Sequence, residues 1–498
     1  MTRPDGSLGT GRVSVSLMDT AVAASVASTL LRFVAVLQTI FVARALGPAE
    51  AGLLGLSSLF VTLVSIVTSM FETASLTGSS DADEAYAAAA FRMRLGGAVL
   101  GVAAGLAYIA FAHESSSLRM VLAFQMWLPM LEALSSRERV LLQRRLEMHK
   151  LIRVSLVIGL SQFVFSCGVL LAGLGVLSLV LVQLAAAALL LALLRRAVRL
   201  PPMAPPAATL LREVGANALR IAAGGLPQIL GTRTDNLMVV STLGTGAMAV
   251  YSLAYGAVRL PNQIVEWVAS TVLLPTLARG AAVGSTEFLA TRAVTVGSLV
   301  APLAAAALWF LAPLSLQILD PRWVDVVPSI QIMALGVLMV PLQYVLGTTL
   351  IAIRKPHTLA VAGVLVIVLH VLAVPPAAAR WGLRGAAWVD VGTVALSATS
   401  MGAMCLRYGH LVSVKALAQT ARTAVLILIG WWAGSSVTHA VGGPVTGPVV
   451  GFATCAVTFI ALALVTGSRS LLIELLGSVR RVFRSPAGPS ASGTAEEA

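Results

Sequence analysis

The sequence predicts an all-α polytopic membrane protein with about 14 transmembrane helices: two pseudo-symmetric six-helix bundles plus two extra C-terminal helices. Three observations predict it. First, 58% of the 498 residues are apolar and only 11% are charged, against about 45–50% and about 25% in a soluble domain. Second, the apolar residues form continuous stretches of roughly 20, the length that crosses a bilayer as a helix; barrel strands would alternate over about 10. Third, the basic residues lie mainly on alternate sides of those stretches, as the positive-inside rule requires. The net charge of +13 therefore points to a membrane topology, and nucleic acid is not expected as a partner.

In chain order, the stretches run over roughly 19–43, 51–76, 88–112, 118–136, 152–173, 175–194, 215–242, 247–278, 293–318, 326–352, 358–379, 384–406, 421–440 and 446–467. Turn formers separate many of them: Leu46-Gly47-Pro48, Gly173 to Gly175, Leu243-Gly244 and Asp320-Pro321-Arg322. Residues 195–212 differ in kind, with four arginines and two Pro-Pro pairs, and read as an extended linker. The organisation that follows is a cytoplasmic N-terminal segment (1–18), a six-helix bundle (19–194), a cytoplasmic linker (195–214), a second six-helix bundle (215–406), two additional helices (407–467), and a basic segment with a disordered tail (468–498). The N-terminal stretch is too long for a cleaved signal and runs into the next span at once.

Charge orients these spans. With the N-terminus in the cytoplasm, the cytoplasmic segments hold 25 of the 34 Lys and Arg, the outside loops hold 5, and four lie inside helices. Both termini are then cytoplasmic. The three cysteines (Cys167, Cys405, Cys455) fall in apolar stretches without metal-like or disulfide-framework spacing.

The halves resemble each other. VARALGPAEAGLLGLSSL (42–59) aligns without gaps with VVSTLGTGAMAVYSLAYG (239–256), each joining the first and second helices of its half through a Leu-Gly turn. Residues 142–149 echo 350–357. Six helices per half make this a parallel repeat about an axis along the membrane normal, the plan of alternating-access transporters with a site between the halves.

A charge at the bilayer centre costs about 2.5–3.5 kcal/mol on insertion scales and usually faces a cavity. The first predicted helix carries Ser25, Ser28, Thr29, Arg32 and Thr39 on one face; the second carries Ser58, Thr62, Ser65, Ser69 and Glu72. The stretch 215–242 carries Arg220, Gln228, Thr232, Arg233, Asp235 and Asn236. The next carries Arg259, Asn262, Gln263 and Glu266, spaced i, i+3, i+4 and i+7, with Pro261 among them. Arg32, Arg233 and Arg259 at mid-membrane depth predict a water-filled, cationic cavity for an anionic substrate, because guanidinium stays charged and matches phosphate or carboxylate. Asn262 and Gln263 would line it too. A structural alternative neutralises Arg233 with Asp235, and Arg259 with Glu266 through an intermediary. Glu72, Glu132, Asp235, Glu266 and Asp390 are candidate ion-coupling or structural carboxylates. His370 reads as a packing histidine.

Other signals carry less. Asp81-Ala82-Asp83-Glu84 reads as a solvated loop. The basic run of Arg137, Arg139, Arg144, Arg145, Lys150 and Arg153 reads as a neighbour of anionic lipid heads. There is no Walker-A sequence, zinc motif or GxSxG elbow, and so no catalytic residue, metal or cofactor is expected.

Several runs carry a family resemblance: FVARALGPAEAGLLGLSSL; LLQRRLEMHKLIRVSL; TRTDNLMVVSTLGTGAMAVYSLAYGAVRLPNQIVEWVASTVLLPTLAR; then ILDPRWVDVVPSIQIMALG, IAIRKPH and RWGLRGAAW. In this order, over about residues 18 to 410, they resemble the polysaccharide (oligosaccharide) flippases of the multidrug/oligosaccharidyl-lipid/polysaccharide exporter superfamily, the O-antigen and exopolysaccharide repeat-unit type. The departures are mild: Ala249 stands where the family has Gly, and Thr245 matches Pro48. The resemblance implies a V-shaped twelve-helix core plus two helices bordering a lipid-tail groove. It implies translocation of an undecaprenyl-diphosphate-linked oligosaccharide across a bacterial cytoplasmic membrane, with Arg32, Arg233 and Arg259 lining the cavity. Its implied partners are that substrate, membrane lipids, and polysaccharide polymerase and export machinery. Alternatives are a drug/cation antiporter or peptidoglycan-precursor flippase of the same superfamily, or a membrane polysaccharide polymerase or ligase. An antiporter should prefer acidic cavity residues, and a polymerase needs a large outside loop.

Overall fold

The computed structural model describes residues 30–31, 33–77, 83–111, 116–145, 147–198, 207–269, 273–274, 276–277, 285–353, 355, 357–408 and 413–465. Arg32 and the tail lie outside them, as do the side chains of Gln228 and Arg144. The elements are helical throughout: α1 (Phe33–Ala45), α2 (Pro48–Thr77), α3 (Asp83–Phe111), α4 (Ser116–Gln125), α5 (Leu128–Leu134), α6 (Ser136–Arg144), α7 (Met148–Leu171), α8 (Gly175–Ala197), α9 (Ala208–Leu243), α10 (Thr245–Val268), α11 (Thr286–Leu311), α12 (Val326–Val337), α13 (Val340–Ala352), α14 (His357–Arg407), α15 (Val414–Val441) and α16 (Thr446–Ala463). Among the described residues, eight helices are long and apolar enough to cross a membrane, or nine if the bent pair Pro321–Val337 and Val340–Ala352 is one span. The chain is an all-helical, multi-span membrane protein.

Several predicted stretches take a different local form. The stretch 118–136 is three short helices, α4 to α6, interrupted by a turn at Met126 and Trp127 and again at Ser135. Pro129 at the start of α5 has no amide proton to bond the Gln125 carbonyl, so the helix cannot run through. The stretch 326–352 bends by 45° between α12 and α13, where Pro341 removes the bond to Val337. The stretches 358–379 and 384–406 are the two arms of α14, which reverses at Gly382 (φ 59°, ψ −145°), a conformation open to glycine and hardly to any other residue. The predicted linker is shorter than 195–214: α8 continues to Ala197 and α9 begins at Ala208.

α9 belongs to both halves. Its first turns pack Val214 against Tyr86, Ala89 and Ala90 of α3, and Ala218 against Met70 and Ala74 of α2. Asn217 Nδ2 donates to Tyr86 Oη at 3.1 Å. Beyond Pro227 the same helix packs along α14. At the opposite end α2 meets α10. The residues aligned by the repeat touch there: a Cβ on Gly52 would overlap the Thr245 carbonyl, and one on Gly246 would come within 3.9 Å of the Ala49 nitrogen. The largest core lies under this contact and joins Leu56, Leu59, Tyr251, Trp323 and Met333. α15 and α16 form a hairpin laid against α11. They approach through Gly430, Gly434 and Gly451, where a side chain would strike the facing backbone. Small residues at such a seam let helix backbones come close when lipid supplies no hydrophobic drive.

Candidate functional site

α9 and α10 carry so many polar residues that neither is among the eight candidate spans, unlike the expected stretches 215–242 and 247–278, and part of their polar face, including Asp235, Arg259 and Asn262, turns inward. With α12, α13 and α14 they enclose a cavity of about 410 Å³. Arg259, Asn262 and Glu266 of α10 line it, opposite Gln343 and Tyr344 of α13. Asp235 of α9 and His370 and Asp390 of α14 line its far end. The predicted α10 face is divided: Gln263 lines a neighbouring groove of about 360 Å³, whose other walls include Val36 and Ile40 of α1 and Val326 and Ile330 of α12. That groove is mostly apolar, and Arg259 borders both spaces.

Arg233 of α9 and Arg259 of α10 are not neutralised in the way local pairing would require. Among the described residues neither Arg233 nor Arg259 forms an ion pair. Asp235 is committed elsewhere: its Oδ1 accepts from Asn236 N (2.7 Å) and Nδ2 (3.1 Å), and its Oδ2 from Tyr251 Oη (3.1 Å). Ser252 Oγ donates to Asn236 Oδ1 at 2.7 Å and completes the network. Glu266 accepts from Tyr344 Oη at 3.5 Å. Arg233 and Arg259 instead lie within electrostatic range of each other. Two like charges on neighbouring helices in a low-dielectric setting call for an anion or for water. Asn262 Oδ1 is also buried without a partner.

The far end of the cavity has different chemistry. Asp390 is buried and makes no side-chain hydrogen bond among the described residues, and it lies in electrostatic contact with Asp235. His370 is not simply packed. Its Nδ1 is 3.2 Å from the Gly231 carbonyl, so Nδ1 carries a proton, and its Nε2 is 3.2 Å from Thr393 Oγ1. Two carboxylates, an imidazole and a hydroxyl around one cavity end can exchange a proton; among the described residues they form no group able to hold a metal ion.

Glu72 and Glu132 stand apart, in the N-terminal bundle. Glu72 pairs with Arg94 of α3 and, at 3.4 Å, with Arg139 of α6. Glu132 accepts from Ser65 Oγ at 2.8 Å. By sequence, Arg94 belongs to the cytoplasmic end of the stretch 88–112 and Arg139 to the basic run that follows the stretch 118–136. Arg94 is 3% exposed. The signal available in the sequence was Glu72 itself, since an intramembrane carboxylate demands a cation. Tyr251, Tyr344 and Thr393 were also missed, because an aromatic or hydroxyl residue in an apolar helix carries no sign of the partner it will meet.

Residues 41–328, more than half of the chain, match the family model described as "Polysaccharide biosynthesis protein". The chain belongs to this family. A comparison with curated proteins finds no match. Among solved structures the fold resembles the lipid II flippase MurJ in an inward closed conformation, at a TM-score of 0.73 and 10% identity, over 91% of this chain and 100% of that one. It also resembles an inward-facing multidrug resistance MATE family transporter of the MOP superfamily, at 0.65 and 11%, over 79% and 98%. A third likeness is to a MOP superfamily transporter from Pyrococcus furiosus, at 0.51 and 11%, over 79% and 93%. These likenesses establish a fold like that of MurJ and the MATE transporters; at such identities they say nothing of role or substrate.

Proposed function

We propose that this polysaccharide biosynthesis protein is a flippase. It carries a lipid-linked oligosaccharide, with a diphosphate as the junction, across the cytoplasmic membrane by alternating access. The observation that carries the reading is the position of Arg259. It borders a polar cavity on one side and an apolar groove on the other, and among the described residues neither it nor Arg233 has a carboxylate partner. A ligand with a polar head, an apolar tail and an anionic junction matches that arrangement. Arg32 would add to the same cationic set, with Asn262 beside the diphosphate and Gln263 at the groove.

The finer architecture belongs to this reading: fourteen spans, two six-helix bundles related by an axis along the membrane normal, both termini cytoplasmic, and chemistry-free transport. The two arms of α14 and the interrupted α4 to α6 each count there as spans their helices only partly display. Asp235, Asp390 and His370 would couple transport to a proton, with Glu266 nearer the cytoplasmic mouth. Polymerase and export machinery would take up the product. A drug/cation antiporter draws its support from Asp235, Glu266 and Asp390, which line the cavity.

The test is flipping of a fluorescent undecaprenyl-diphosphate sugar in proteoliposomes. Arg259→Ala should lower the rate by roughly 10- to 100-fold, the worth of a charge-assisted hydrogen bond, and Arg233→Ala should lower it too. Wild-type flipping that survives both changes would return the arginines to a structural role. Uptake of an organic cation without flipping would favour the antiporter.

A further inference from the structure

A separate cavity of about 480 Å³ lies within the N-terminal bundle. It shares no lining residue with the one around Arg259. α2 presents Ser65, Ser69 and Glu72 to it, α3 presents Arg94, α5 Glu132, and α6 Arg139 and Gln143. Its size falls within the usual range of small-molecule sites, about 300–1,000 Å³.

Its charges are balanced. Two arginines face two glutamates; Glu72 pairs with both arginines, and Glu132 is held by Ser65. A diphosphate would meet Glu72 and Glu132 here, and a cation would meet Arg94 and Arg139. What the wall retains is directional hydrogen-bonding capacity. Among the described residues, Arg94 Nε, Arg139 Nε and Gln143 Oε1 are buried without a hydrogen-bond partner. A buried polar atom left unpaired costs about 1–3 kcal/mol and calls for water or a ligand. These are donors and acceptors on planar side chains beside a row of hydroxyls. Sugar hydroxyls both donate and accept, and so satisfy both kinds at once.

We propose that this wall, around Glu132, Arg139 and Gln143, is a sugar subsite that binds the hydroxyls of an uncharged glycan unit. The inference rests on the flippase reading: the diphosphate is held at Arg259 and the N-terminal bundle reads the sugar.

The experiment measures binding to the full-length protein in lipid nanodiscs. The probes are undecaprenyl diphosphate without a sugar and the same lipid carrying glucose, galactose or N-acetylglucosamine. In the wild type at least one sugar should tighten binding by roughly tenfold over the bare lipid, the worth of one or two neutral hydrogen bonds. Gln143→Met and Glu132→Gln should bring that ratio towards one. Arg259→Ala should weaken all four ligands together. Thermal unfolding identifies any variant that fails to fold, and the conservative Glu132→Gln keeps the test alive if Gln143→Met does. Equal wild-type affinity for all four ligands, or a ratio unchanged in the variants, would overturn the subsite while leaving the flippase reading in place. Absence of binding to every lipid diphosphate would remove the flippase reading and this inference with it.

Discussion

At the scale of single residues, the intramembrane charges fall into two classes with different consequences. In the N-terminal bundle, Glu72 holds the buried Arg94 and the nearby Arg139. Removing one partner of a buried pair leaves an uncompensated charge, at a cost of about 3–5 kcal/mol, whereas replacing both can be nearly neutral. Glu72→Met should therefore lower thermal stability in detergent sharply, and Glu72→Met with Arg94→Met should recover much of it; a double variant no better than the single would show that the pair does not act as one. On α9 and α10, Arg233 and Arg259 have no such partner among the described residues. Their substitution should cost transport far more than stability. Tyr251→Phe takes a donor from the buried Asp235 carboxylate and should cost about 1–3 kcal/mol of stability.

At the scale of elements, the loop before α12 is set by a short turn. The Asp320 carboxylate accepts from Arg322 N at 2.9 Å and from its Nε at 3.0 Å. These bonds hold the Asp320 carboxyl below the usual carboxylate range and raise Arg322. Because the folded value is depressed, the stabilisation is present above the ordinary value of about 3.9 and fades as pH falls through the folded one. Amide protection of residues 320–325 should weaken on acidification, and Asp320→Asn should remove that dependence. The α15–α16 hairpin rests on space, not charge. Gly434→Leu would drive a side chain into the Gly451 backbone and Phe310, and should reduce the yield of folded protein, which size-exclusion profiles would report.

For the whole molecule, two contacts join helices distant in the chain: α9 with α2 and α3 at one end, and α2 with α10 at the other. On the proposed flippase reading, alternating access requires the second contact to part. A disulfide between Ala49→Cys and Gly246→Cys, in a background with Cys167, Cys405 and Cys455 replaced, should stop flipping, and a reductant should restore it. Full transport by the cross-linked protein would mean that this contact never opens.

The sequence alone shows that the chain is helical, spans a membrane many times and carries a cluster of charges on α9 and α10. Those properties depend on local quantities: the length of apolar runs, the spacing of polar residues and the placement of glycine and proline. It also singled out Asp235, Arg259 and Asp390, because a charge in an apolar helix is visible without knowing its neighbours. The tertiary structure alone decided which of those charges are neutralised. Arg94 and Arg139 looked like cytoplasmic end residues and are tied to Glu72; Arg259 looked able to pair with Glu266 and does not; His370 looked like packing and bridges Gly231 to Thr393. Whether a buried charge is silent or available depends on side chains tens or hundreds of residues away along the chain, and helix packing alone brings those within reach.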